Sequence, residues 1–244
     1  LTSCDRTTED VVKKADKALD KRAHTVEVDI DFRCSNTTVS GIFEQLERFD
    51  TNLYFKNGNF RADTDLVIDD GSSENHFYTE YVIIDGMLYC NIVYSSIGVR
   101  RDIKNKAEVD EEQKASIVGK LMLVGDFSLD SFSDIHMDKR DGEYVIECRG
   151  ASEEKRIQLE KMLISQLEAT SDSVKLTGAM MTVEIDDGKY DTVTYDCEYE
   201  VLLEGAVYTV GMTVTLEFDY DEYFKISVPA DADKYETVKT DSIL

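Results

Sequence analysis

The first residues able to do chemistry stand at the head of the sequence, where Leu1-Thr2-Ser3-Cys4 has the form of a bacterial lipobox. In such a motif a signal peptidase cuts before the cysteine, which then carries diacylglycerol. The expected lipid attachment is therefore Cys4, with a signal peptide ahead of Leu1 and residues 1–7 as a short tether. The expected location is extracytoplasmic, on the outer face of the cell membrane, held there by lipidated Cys4.

Other reactive side chains form no recognisable constellation. His24, His76 and His136 lie far apart, with no HExxH and no paired-ligand spacing. There is no GxSxG elbow, no P-loop and no GxGxxG. Asp231, Asp233 and Glu236, and likewise Asp219, Asp221 and Glu222, resemble pieces of a calcium loop, but the glycine at its sixth position and its twelve-residue ligand order are missing. Cys34, Cys90, Cys148 and Cys197 show no CxxC spacing and each falls on the apolar side of a strand pattern. Free buried thiols are expected of them; two disulfides, in any of three pairings, are the alternative in an exported chain. No catalytic centre, metal site or cofactor is expected.

The charge balance restricts partners further. With 27 basic and 51 acidic residues the formal net charge is −24, which repels nucleic-acid phosphates. Disorder is the other reading of so much charge, and 42% hydrophobic residues with 13 tyrosines and 10 phenylalanines argue against it. The acidic residues alternate with apolar ones, as in Glu27, Asp29 and Asp31 between Val26, Val28, Ile30 and Phe32, so they form a solvated strand face. No apolar run approaches the roughly 18 residues of a membrane span.

The elements follow from periodicity. Residues 8–22 carry Val11, Val12, Ala15, Ala18 and Leu19 at helical spacing, with Glu9 and Asp10 in the first turn and Thr7 or Thr8 as cap. From His24 the period becomes two, and long alternating runs recur as far as Tyr220. Asn57-Gly58, Asp70-Gly71, Asp85-Gly86, Asp141-Gly142 and Asp187-Gly188 separate them, with Glu204-Gly205 as a poorer sixth. Asn-Gly and Asp-Gly supply the positive φ of tight hairpin turns, so sequential strands form a meander. Helices are predicted over 108–122 and 152–169, the latter capped by Ser152. The order is helix, about six strands, helix, two strands, helix, about four strands: one α+β domain over 8–244, with helices on the apolar face of a long antiparallel sheet. The single proline, Pro229, and the absence of a Gly/Ser linker support one domain.

Three helices are too few to cover so long a face, which leaves room for an apolar cleft. Its expected lining is Phe32, Phe60, Tyr81 and Tyr89 from the first meander, and Met181, Tyr199, Tyr208, Met212 and Phe218 from the second. The same residues can equally be core.

This layout resembles the LolA and LolB lipoprotein carriers and the mycobacterial lipoproteins of the LppX and LprG type. Tyr81-Val82-Ile83-Ile84-Asp85-Gly86-Met87-Leu88-Tyr89 looks like the strand, turn and strand of such domains. The ending Phe224-Lys225-Ile226-Ser227-Val228-Pro229-Ala230-Asp231-Ala232-Asp233 is a further echo, and a lipid-bearing cysteine is shared with LolB and LppX. The resemblance covers nearly the whole chain and implies a half-barrel with helices across its concave face, holding acyl chains between sheet and helices. A membrane-anchored lipoprotein that binds or carries a lipid or other hydrophobic ligand is thus the expected function. The alternative is an envelope protein-interaction module with a filled core.

Overall fold

The computed structural model describes residues 7–34, 49–69, 74–124, 127–167, 173–203, 205–220, 223–240 and 243. Cys4 and the Asp70-Gly71 turn lie outside the described residues.

Local chemistry sets the helices. Helix α1, Thr8–Lys21, opens on a capping box in which Thr7 Oγ1 accepts from the Asp10 amide at 3.2 Å and Asp10 accepts from the Thr7 amide at 3.4 Å. Helix α2, Glu111–Leu121, has the same device between Asp110 and Gln113, at 2.8 and 3.0 Å. Helix α3, Glu153–Leu167, begins where the Lys155 amide donates to Ser152 Oγ at 3.2 Å. Each cap satisfies amides that the first helical turn leaves without a partner.

The strands are β1 (His24–Cys34), β2 (Phe49–Lys56), β3 (Asn59–Asp69), β4 (Glu74–Ile84), β5 (Met87–Ser96) and β6 (Val99–Glu108) before α2. Next come β7 (Phe132–Arg140) and β8 (Glu143–Ala151), and after α3, β9 (Val174–Asp186), β10 (Lys189–Leu203), β11 (Ala206–Asp219) and a two-residue β12 (Glu236–Thr237). Asn57, Asp85, Asp141 and Asp187 take φ of 44° to 53° and the glycine after each is also positive, as the dipeptides predict. A further hairpin turn, which the dipeptide pattern does not predict, closes at Ile97-Gly98, where Gly98 has φ +70°.

All twelve strands join one long, open, curved sheet in the order β12-β6-β5-β4-β3-β2-β1-β11-β10-β9-β8-β7. Every pairing is antiparallel except that of β12 with β6. Two meanders thus meet at the β1–β11 pair, where Val26 faces Phe218, Val28 faces Leu216 and Ile30 faces Val214. These rows continue sideways into Leu53 of β2 and into Val193 and Tyr195 of β10, giving one apolar inner face. Val11 and Ala15 of α1, Ile117 of α2 and Leu159 and Leu163 of α3 pack on it in a single core. The fold is therefore α+β, with its three described helices on the apolar face of the sheet.

The outer face is polar in the middle and covered at one side. Residues 223–240 run back over β2 to β6: Phe224 meets Tyr54 edge-on at 5.6 Å, and Tyr235 meets Tyr89 at 5.5 Å. Asp231 pairs with Lys104, and the Val238 amide donates to the Lys106 carbonyl at 3.0 Å. Tyr235 in this strap is 5% exposed, and Val82, which pairs with Tyr89 in the strand beneath, is 3% exposed.

Candidate functional site

The residues expected to line a cleft do not line one together. Phe32, Phe60, Met181, Tyr199, Met212 and Phe218 are buried core, and the Tyr199 hydroxyl donates to the Leu159 carbonyl of α3 at 3.2 Å. Tyr81 and Tyr208 are half-buried against that core. Tyr89 is a correction, because it lies on the outer face under Tyr235. Across the Asp85-Gly86 turn Val82 pairs with Tyr89 and Tyr81 with Cys90, so the parity of inward-facing residues flips from β4 to β5. That arithmetic was available in the sequence.

An open groove of about 920 Å³ lies instead in the helical layer. Helix α1 turns Val11 and Ala15 into the core, while Val12, Asp16 and Leu19, one step round the cylinder, face the groove. Helix α2 and its C-cap contribute Ala115, Val118, Gly119 and Met122, a matching i, i+3, i+4, i+7 face. Ala115 and Gly119 carry little bulk, which leaves space on the α2 side of the groove unfilled. Phe127, Ser128, Leu129 and Asp130 of the connection after α2, with Ile135 of β7 and Tyr190 of β10, complete the lining. The volume falls in the roughly 300 to 1,000 Å³ range of small-molecule sites.

The floor is aromatic. Phe127 meets Tyr190 edge-on at 5.2 Å and Phe218 at 5.8 Å, while Tyr190 and Phe218 are also 5.8 Å apart. Phe218 thus supports the floor from beneath. Polar groups gather at one side: the Tyr190 hydroxyl donates to Asp16 Oδ1 at 2.6 Å, and Lys13 pairs with Glu9 at 2.6 Å. Burial, then the bond to Asp16, pushes the Tyr190 phenol well above its usual range. Val12 and Leu19 belong to the same apolar stripe of α1 as Val11 and Ala15, and nothing in the sequence marks them as groove wall rather than core.

The remaining chemistry is scattered. His24 is buried, stacked on Phe55 at 4.7 Å, and its pKa is lowered by burial. His76 and His136 sit on β4 and β7, far from it in strand order. Cys90, Cys148 and Cys197 are buried free thiols and Cys34 is a half-buried one. Lys155, 2% exposed, donates to the Val124 carbonyl at 2.7 Å and lies over the Tyr195 ring, tying α3 to the end of α2. Among the described residues no three His, Cys, Asp or Glu side chains are placed to hold a metal ion. No described helix is long and apolar enough to cross a membrane.

No family model matches the chain, and no curated protein matches it. Among solved structures, the dehydratase domain from the CurF module of curacin polyketide synthase aligns over 88% of this chain and 82% of its own. Its identity is 10% and its TM-score 0.19. An N-terminal dehydratase from the difficidin assembly line covers 84% and 81% at 8% identity and a TM-score of 0.15. The dehydratase domain of RzxB from Pseudomonas fluorescens covers 80% and 76% at 8% identity and 0.14. Overlaps this loose carry no argument about fold or activity.

Proposed function

We propose that the protein is a membrane-anchored extracytoplasmic lipoprotein, a single LolA-like half-barrel domain, that binds an apolar or amphiphilic ligand in the groove between α1 and α2. The observation that carries this reading is the groove itself, about 920 Å³ with Val12, Leu19, Val118, Met122 and Phe127 among its walls. Such a site needs no catalytic motif. Burial yields about 0.8 kcal/mol per CH₂, so a twelve-carbon chain gains on the order of 9 kcal/mol before the several kcal/mol lost on association. The site differs from the sheet cleft expected from sequence, because the sheet residues are taken up by the core. The anchor rests on the lipobox at Cys4.

The test is calorimetric titration of the anchor-free chain with dodecyl amphiphiles below their micelle concentrations, beside the variant Gly119→Leu. Gly119 is half-buried and lines the groove, so leucine there occupies groove space, and leucine favours a helix by about 1 kcal/mol over glycine. Binding weakened about tenfold or more in the variant is expected. Unchanged binding places the ligand elsewhere, and an inert wild-type chain sinks the reading. For the anchor, Cys4→Ala in cells should move the protein from the detergent to the aqueous phase of a Triton X-114 partition.

A second reading, a protein-interaction module, draws on the β5–β6 hairpin. Ile97, Val99 and Ile103 are 75%, 46% and 50% exposed there, three of the nine large exposed hydrophobics among the described residues. Loss of a cross-linked partner on Ile97→Asp, with amphiphile binding intact, would favour it.

A further inference from the structure

The groove's charges narrow its ligand class, on the premise that the groove binds an amphiphile as proposed above. Four ionisable side chains of the usual acidic or basic kinds line it: Glu9, Lys13, Asp16 and Asp130. Lys13 and Glu9 pair at 2.6 Å and cancel. Asp16 accepts from the neutral phenol of Tyr190, and Asp130 sits in the short turn at Leu129–Ser131, where its amide donates to Ser128 Oγ. Among the described residues neither Asp16 nor Asp130 is in an ion pair, so the groove carries an excess of two negative charges beside apolar walls.

The floor adds to this. Phe127 and Tyr190 line the groove and meet edge-on, and aromatic faces attract cations within about 6 Å. A ligand with a carboxylate or phosphate head would face two unneutralised carboxylates, whereas an ammonium head finds two acceptors and the half-exposed ring of Phe127. From this charge complementarity we infer that the groove selects amphiphiles whose aliphatic tail carries a cationic, amine-type head, held between Asp16 and Asp130. The tail lies against Val12, Leu19, Val118 and Met122.

Dodecylamine, dodecyl maltoside and dodecanoate share one tail and differ in head charge, so titrating the anchor-free chain with each separates tail from head. Dodecylamine is expected to bind at least about tenfold more tightly than the maltoside at low salt, with dodecanoate weakest, and the preference shrinks as salt screens it. The double variant Asp16→Asn with Asp130→Asn should erase the preference, dodecylamine then binding no more tightly than the maltoside measured on the same variant. A second double variant, Asp29→Asn with Asp31→Asn on the outer face, removes the same charge far from the groove and should keep the preference. Equal binding of the three compounds, tighter dodecanoate, or equal loss of preference in both double variants overturns the inference and leaves the groove as an unselective apolar site. Failure of all three compounds to bind overturns the binding role itself.

Discussion

The phenol of Tyr190 and the carboxylate of Asp16 meet at 2.6 Å although 174 residues separate them. This bond joins the first helix to the β10 strand beside the groove, so it fixes the groove's width as well as its polarity.

Tyr190→Phe keeps the ring and deletes that bond. A loss of about 1.5 kcal/mol is expected, the low end for a bond to a charged group because Asp16 is solvent-exposed. Urea unfolding measures it. A change of amphiphile affinity larger than the loss of stability would show that α1 has shifted.

His24 gives the fold an acid-side dependence. Burial lowers its pKa in the folded protein, so the unfolded chain takes up a proton first as pH falls. Its contribution is complete above the unfolded value, about 6.5, and is lost as pH falls below it. Urea midpoints should decline between pH 6.5 and 5. His24→Phe, which can keep the stack on Phe55, should flatten that window.

The buried thiols act on the alkaline side. Burial raises Cys90 to about 12, and Cys148 and Cys197 to about 11. The unfolded chain ionises them near 8.5, so stability is complete below that pH and falls progressively as pH rises toward the folded values. Dithionitrobenzoate at pH 8 should label these three only after denaturant is added, and labelling of all three in the native protein would contradict the packing of the inner face.

Tyr235 tests the strap. It is 5% exposed and covers Tyr89 and Lys104, so Tyr235→Ala should cost about 3 kcal/mol. A cost under 1 kcal/mol in urea unfolding would mean that residues 223–240 rest on the outer face without stabilising it.

Much of the fold was legible because its signals are local. Thr7 with Asp10, Ser152, and the Asp-Gly and Asn-Gly pairs each act within four residues, and the alternation of β1 and β11 marks one buried face. Strand order was less legible: nothing near Val28 or Leu216 announces that they pair. The groove was hidden for a related reason. Val12 and Leu19 look like core in sequence, and only the position of α2 leaves them facing an opening. Lys155 gave no signal at all, since its partner is a backbone carbonyl 31 residues away.

The pairing of β1 with β11 has a consequence in time. Strand β1 is made first and the partner for its free edge is the last long strand to be made. At roughly 5 to 20 residues per second, synthesis leaves that edge unmatched for on the order of ten seconds or more. The seam between the two halves can form only once β11 has been made, and until then the edge of β1 that carries Val26, Val28 and Ile30 lacks this partner. Pulse-labelled hydrogen exchange during refolding should find the amides of this seam protected after those of the β3–β4 and β9–β10 hairpins, because its two strands lie much further apart in the chain.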